Sequence, residues 1–530
     1  MPLYAQTAND ASFLAQLGEL REASFTDKEA IVERLIDNKH PGVYAVLTAF
    51  MSDRLYFRNE DQKILIVKST EGDPASFEVI DPASLKDAGS VAADSVTKIG
   101  TNNRLRRVLR TTVARFGLTS PDAAVRFESV RNMLQSPDEA NVALLRERIN
   151  AETNARVKRE IATAIGLSAL DSSDPQARLD AIVSLGGSRS QDVRNKLAGL
   201  LEKSPDGAFV ETDERVRKSA ETAVKTIDQW RSFYSGIETL FFGLSLGSVL
   251  VLIAIGLAIT FGVMGVINMA HGELMMLGAY TTYVVQTMMP GHIGISILVA
   301  IPAAFVVSAI AGIIIERTII RFLYGRPLET LLATFGLSLV LQQLVRSVFS
   351  ALNRAVETPA WMSGTLEINE ALSITYNRLY IVVFTLLVFG MIVLVMKRTR
   401  LGLDIRAVSL NRGMARAMGI RTEWVDAMTF GLGSGIAGVA GVALSQLTNV
   451  GPNLGQSYII DSFMVVVFGG VGNLWGSLIG GMSLGIVNKL LEPYSGAVLA
   501  KIFVLVALIL FIQRRPRGLF PQTGRASENG

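Results

Sequence analysis

The sequence predicts a mostly α-helical protein. A polytopic membrane bundle of about nine spans follows a soluble, largely helical domain with a few short strands. Two observations predict the bundle. Residues 1–232 carry most of the charge, whereas from Ile237 to Gln513 one apolar run follows another. The first run, Gly236–Gly262, holds no charged residue except Glu238. At 1.5 Å of rise per residue it is long enough to cross a bilayer core of roughly 30 Å. The third observation predicts the soluble part: residues 105–230 repeat short units of helical spacing. The chain therefore divides into an N-terminal domain, 1–232, and a membrane domain, 237–520.

Nine spans are expected, at 237–260, 264–288, 294–316, 328–350, 379–396, 426–447, 458–473, 476–491 and 497–513. The seventh and eighth are short and Gly-rich. Broken or re-entrant helices are tolerated there if their backbone is buried in protein. Arg and Lys orient the bundle. Arg317, Arg321 and Arg326 follow span three. Lys397, Arg398, Arg400, Arg406, Arg412, Arg416 and Arg421 follow span five, and Arg514, Arg515 and Arg517 follow span nine. The alternate loops are poor in positive charge. Every basic loop then lies in the cytoplasm, the C-terminus is inside and the N-terminal domain is outside, in the periplasm of a bacterium. The opening MPLYAQTAND has no basic or apolar signal region. It reads either as an ordinary start or as the tail of a cleaved signal, and the parity of the loops favours the latter.

In the N-terminal domain the recurring units are Ala123–Leu134, Ala155–Leu167, Gln176–Gly186 and Glu214–Val224. Each places an apolar–basic pair before small and aliphatic residues. The pattern is similar to HEAT-type repeats, which stack helical hairpins into a solenoid; a non-repetitive helical domain fits as well. Upstream, Arg54–Arg58, Lys63–Lys68 and Phe77–Ile80 read as short strands. Nothing in this domain forms a catalytic constellation.

Composition excludes several classes. There is no cysteine, so thiolate metal sites and thiol nucleophiles are out. Three histidines, His40, His271 and His292, are too dispersed for a metal cluster, and no cofactor is expected. The net charge of +4 is mild and the basic residues gather in a few loops, so nucleic acid is not a partner. No G-x-x-x-x-G-K-[ST] loop occurs, so ATP must be bound elsewhere.

Two motifs carry chemistry in the membrane part. Asn268, His271 and Glu273 sit in an otherwise apolar span, FGVMGVINMAHGELMMLGAY. Polar groups at membrane depth are costly and are functional candidates by default. Asn268 and His271, three apart, share a helix face, while Glu273 points elsewhere. The alternative is that His271 and Glu273 cap or pair near the cytoplasmic end. The second motif is the loop 397–425. On one helix from Asp404 to Met418, Ala407, Leu410, Met414 and Met418 form an apolar face, and Arg406, Ser409, Arg412 and Arg416 a basic one. Asp404 suits the first turn and Gly419 a stop. Such a helix docks into a partner or lies on anionic lipid. Gly431, Gly435, Gly438 and Gly441 in span six let helices approach closely, which fits pairing with a second subunit. Phe261-Gly262-x-x-Gly265-x-x-Asn268 also echoes Phe468-Gly469-x-x-Gly472-Asn473, a faint sign of a parallel repeat.

GLAITFGVMGVINMAHGELMMLGAY resembles the opening segment of the branched-chain amino-acid ABC permeases. The loop around Arg400–Ile420 resembles that family's coupling loop, and RRPRGLF (Arg514–Phe520) its C-terminal end. The N-terminal extension departs from the usual pattern and resembles the urea-permease branch, the UrtB-like proteins. The resemblance implies the permease subunit of a bacterial ABC importer in the inner membrane. Its implied partners are two ATP-binding subunits, a related second permease and a periplasmic substrate-binding protein. It implies an ATPase-coupling role for Asp404, Arg406, Leu410, Arg412, Gly413, Met414, Arg416 and Met418. Urea is the expected cargo. Its donors and acceptors need amide-like partners, which Asn268, Asn449, Asn453 and Asn473 would supply beside His271 and Glu273. A branched-chain amino acid is the alternative cargo, and its zwitterion would favour a charge pair in the pathway. A membrane receptor with an outer sensor domain, and an intramembrane enzyme, are the rivals of another class.

Overall fold

The structure is a computed structural model that describes residues 2–38, 40–68, 76–134, 139–203, 205 and 207–520. It divides into two compact units, Met1–Gln229 and Trp230–Gly530.

The first unit opens with α1 (Pro2–Glu19), α2 (Phe25–Asp37) and α3 (Val43–Met51). A five-stranded antiparallel sheet follows: β1 (Leu55–Arg58), β2 (Ile64–Val67), β3 (Ser76–Ile80), β4 (Asp87–Ala92) and β5 (Val96–Lys98), in the order β4-β3-β2-β1-β5. The three expected strands are present. The other two, DAGSVA and VTK, lack the alternation that marks a half-buried strand, because β4 is mostly exposed and β5 is only three residues long. β2 is buried throughout because both sheet faces are covered: Ile64 and Ile66 join the helical core with Phe13, Leu47 and Leu105, and Leu65 and Val67 pack with Val79 and Val96.

The helices α4 (Asn103–Gly117), α5 (Ala123–Leu134), α6 (Glu139–Ala151), α7 (Ala155–Ala169), α8 (Pro175–Leu185) and α9 (Gln191–Gly199) come next, and α10 (Glu214–Met264) begins in this unit. The repeated apolar–basic pair has a shared structural use. Arg126 Nη1 donates to the carbonyls of Ser120 and Pro121, Arg178 Nη1 to those of Ser172 and Ser173, and Arg217 Nη1 to those of Glu211 and Thr212. Each arginine thus closes the turn that leads into its own helix. Two also pair bidentately with a buried glutamate, Arg126 with Glu152 and Arg178 with Glu211.

In the second unit, α10 ends at Met264 and a non-helical link leads to α11 (His271–Met288), α12 (Ile293–Thr318) and α13 (Pro327–Phe349). A hairpin, β6 (Thr365–Asn369) and β7 (Leu372–Thr375), precedes α14 (Tyr376–Arg398). Then come α15 (Arg400–Leu410), α16 (Arg412–Ala417), α17 (Thr422–Ser445), α18 (Leu454–Gly469) and α19 (Leu474–Arg514). Six of these helices, α10, α12, α13, α14, α17 and α19, are long and apolar enough to cross a membrane, by length and composition. α19 is two limbs joined at Gly496, whose φ is +76°. α18 is apolar but has only 16 residues. The nine expected segments correspond to the end of α10, to α11 through α14, to α17 and α18, and to the two limbs of α19.

α17 is the hub. All but four of its 24 residues are buried, so it is hydrophobic all round, as a helix enclosed by others must be. Its small residues admit three neighbours at backbone distance. A methyl group at Gly433 would lie 2.6 Å from the Gly256 carbonyl oxygen of α10, one at Gly441 2.1 Å from the Met275 carbonyl oxygen of α11, and one at Gly438 2.5 Å from that of Ala304 in α12. The glycines of span six therefore serve packing inside this chain. That corrects the expectation that they pair with a second subunit.

Candidate functional site

Asn268, His271 and Glu273 lie where α10 gives way to α11. The expected helix does not extend back over Asn268, because Gly265 turns the chain with φ +64° and residues 265–270 form no helix. Asn268 instead accepts from the Ala270 amide, 3.0 Å, and caps the approach to α11; its own amide nitrogen is buried without a hydrogen-bond partner. His271 and Glu273, both buried, then leave α11 in different directions. His271 Nε2 donates to the Ile253 carbonyl of α10, 3.0 Å; a carbonyl only accepts, so that nitrogen carries the proton. Glu273 faces α13. Its Oε1 accepts from Ser338 Oγ at 3.0 Å and Gln342 Nε2 at 2.8 Å, while Oε2 is buried and unpartnered.

α13 contributes groups that the sequence analysis did not single out. Its buried face is Thr330, Thr334, Ser338, Gln342 and Val345, whereas Leu328, Leu332, Val340, Leu344 and Val348 are exposed. The helix is inverted, with its polar stripe inward and its apolar residues outward. Thr334 accepts from the Met269 amide of the link at 3.1 Å. One turn beyond Gln342, Arg346 donates to Asn453 at the start of α18, 2.7 Å. The spacing of four between these residues was the available signal. It was missed because Ser and Thr are cheap inside a membrane helix, where they bond the preceding turn.

The remaining candidates lie apart. Asn473 caps α19 by accepting from the Gly476 amide, 3.1 Å, and donates to the Phe520 carbonyl. Asn449 is exposed beside Val450, which pairs with Arg354. The echoed Gly-rich turns at 262 and 472 meet, since a methyl group at Gly262 would lie 2.5 Å from the Gly472 Cα. Two cavities, about 350 Å³ and 200 Å³, lie between α12, α14 and α17, the second also reaching Trp361 and Met362; they are apolar and none of the polar cluster lines them.

The loop 397–425 holds two helices rather than the single expected one. α15 begins at Arg400, capped by Thr399, so Asp404 lies in its middle and not in its first turn. Asn411 breaks the path because its side chain accepts from the Met414 amide at 2.9 Å and so starts α16. Gly419, φ +88°, follows α16 at the expected stop. Arg412 is held by Asp426, with Nη1 to Oδ1 at 3.1 Å, and lies over the Tyr324 ring. Arg406 donates to the Met396 carbonyl and Arg416 to Thr422. The two helices anchor through Ile405, Val408 and Ala415. Leu410, Met414 and Met418 are left outward, 67 %, 63 % and 78 % exposed; Ala407 is half-buried and Gly413 exposed.

A family described as branched-chain amino acid transport system / permease component matches residues 239–512. The chain belongs to this family. The match takes in the inverted α13, the Glu273 cluster and the α15–α16 pair. Among curated relatives, the high-affinity branched-chain amino acid transport system permease protein BraD of Pseudomonas aeruginosa is 31 % identical over 296 residues, 54 % of this chain and 96 % of that protein. The corresponding permease protein LivH of Escherichia coli K12 is 33 % identical over 294 residues, 53 % of this chain and 94 % of LivH. The ribose import permease protein RbsC of the same organism is 25 % identical over 289 residues, 52 % of this chain and 85 % of RbsC. None of these three is named for urea. No solved structure matches the chain. As a member of the family the chain is a multi-pass membrane transport subunit and not an enzyme.

Proposed function

We propose that this chain is the permease subunit of an ATP-driven importer whose cargo is a branched-chain amino acid. The observation that carries the reading is the family match over the whole membrane bundle, together with near end-to-end coverage of relatives named for that cargo. Urea, implied by the likeness of the extension to the urea-permease branch, has no such support among these relatives, so the amino acid replaces it as the leading cargo.

The partners follow from the class. Two ATP-binding subunits, a second permease and a substrate-binding protein complete the complex, since this chain has no phosphate-binding loop. The exposed Leu410, Met414 and Met418 offer the ATPase an apolar face. Arg406, Arg412 and Arg416, with Asp404 and Gly413, frame it. Orientation follows the basic loops: α15 and α16 inside, residues 1–229 outside. Glu273 and Asn453 are the pathway candidates we retain. His271, Asn268 and Asn473 hold turns and caps, and Asn449 is exposed in the loop before α18.

The test is uptake of radiolabelled leucine and of urea by vesicles holding the complete complex, its binding protein and internal ATP. Leucine uptake without urea uptake is expected. Uptake of urea alone restores the first cargo, and uptake of neither without external binding protein and internal ATP is the signature of an ABC importer.

A further inference from the structure

Glu273 is held in an unusual way. α11 is locked to its other neighbours at backbone distance: a methyl group at Gly272 would lie 2.4 Å from the Gly455 carbonyl oxygen of α18, and one at Gly278 2.1 Å from the Gly438 carbonyl oxygen of α17. Toward α13 the contact is different. Ser338 and Gln342 reach Glu273 with side-chain hydrogen bonds, which a solute's polar groups can replace. The second carboxylate oxygen of Glu273 is buried with nothing bonded to it. An unsatisfied buried acceptor is costly and invites a donor.

A cation stands one turn away. Arg346 follows Gln342 by four residues, about 6 Å along the same face. No ion pair joins Arg346 to Glu273; its guanidinium goes to Asn453, at the exposed start of α18. Met276, three residues beyond Glu273 on α11, and Val345, next to Arg346 on α13, belong to one apolar cluster with Tyr280, Phe349, Val450 and Leu454. A carboxylate on α11, a guanidinium on α13 one turn beyond the Gln342 that bonds that carboxylate, and an apolar cluster drawn from both helices are thus neighbours.

We infer that Glu273 and Arg346 form a binding station for the two charges of an α-amino acid, reached when α13 moves off α11. The ammonium group takes the free oxygen of Glu273, and the carboxylate takes Arg346 in place of Asn453. The side chain lies against Met276, Val345 and Leu454. A neutral solute such as urea uses neither charge. The inference rests on the amino-acid cargo proposed above and names the groups that recognise it.

The experiment uses the complete complex in vesicles with its binding protein, internal ATP and radiolabelled leucine. Glu273→Gln keeps size and hydrogen bonds but removes the charge; Glu273→Ala removes both. Both should lower uptake about ten- to hundredfold, the range of one charge-assisted hydrogen bond. Arg346→Gln should lose as much, and Arg346→Lys should recover most of it. A carboxylate that only bonds helices predicts normal uptake by Glu273→Gln and loss only in Glu273→Ala, which overturns the station. Should Glu273→Gln fail to assemble, Arg346 decides: wild-type uptake by Arg346→Gln overturns it too. If the wild-type complex moves no amino acid, the cargo reading fails; if it moves leucine and the charge variants match it, only the station fails.

Discussion

Glu152 shows how much one carboxylate does in the first unit. It is buried, paired bidentately with Arg126, and also accepts from the Asn154 amide at 2.8 Å, so it ties α5 to the start of α7. The Arg126 guanidinium, above all, holds its carboxyl below the usual carboxylate range, against the effect of burial. Burial works against the Glu211 carboxylate as well, but there Arg178 and the Asp213 amide outweigh it. A depressed folded pKa adds stability that is present above the unfolded carboxylate value and is lost as pH falls through the folded one. Amide protection in α5 to α9 should therefore fall below about pH 4, the unfolded glutamate value. Hydrogen exchange across pH 3–7 on the full chain reads this. Glu152→Gln leaves Arg126 buried without a charge partner and should cost about 3 kcal/mol, roughly a hundredfold in protection at pH 7. Unchanged protection in that variant at pH 7 would show the pair to be energetically idle. The recurrence of the arginine was legible in the sequence, but its glutamate was not. The partner lies 26 residues away in one repeat and 33 in the next, so no fixed spacing marks it.

At the scale of elements, α16 and α11 make opposite predictions. Met414 on α16 is exposed, so Met414→Asp should leave insertion and thermal stability of the subunit unchanged. If the face docks an ATPase, the charge must be buried unpaired on association, at a cost of a few kcal/mol. Loss of ATPase co-purification and of ATP-driven uptake is expected; normal uptake would return the pair to a lipid-surface role. Gly278 on α11 is the reverse case, since any side chain there meets the Gly438 backbone. Gly278→Leu should destabilise the bundle by about 3 kcal/mol, read by thermal unfolding in detergent. Gly336→Leu on α13 is its control, because nothing lies within 4 Å of an added methyl group there; a leucine improves helix propensity and should be tolerated. Equal losses from the two would mean that α11 is not fixed by backbone contact. Both helices were legible as apolar or amphipathic segments. The break at Asn411 was not, because residues 404–418 keep helical periodicity across it. The Asn side chain wins by capping the Met414 amide.

For the whole molecule, orientation is the assignment to test, and the cysteine-free chain makes the test clean. Cysteine at Ser173 should react from outside with a membrane-impermeant maleimide, and cysteine at Ser409 only after lysis. Both positions are exposed on the chain itself. Labelling of Ser173 solely after lysis would place residues 1–229 in the cytoplasm and invert every span.

The sequence by itself determined the class of this protein. Apolar length marks which segments are long enough to cross the bilayer, because that is a local cost summed along the chain. It also marked Glu273, since a carboxyl among apolar residues stands out wherever it lands. Tertiary structure alone decided what Glu273 faces. Ser338, Gln342 and Arg346 are 65 to 73 positions away, and in sequence they belong to an ordinary apolar helix. Only the folded bundle turns that helix polar side inward. The hub role of α17 is of the same kind. Its glycines announced close packing, but which backbone they meet depends on the crossings of α10, α11 and α12. Those crossings are fixed by shape complementarity among distant segments, and no local pattern encodes them.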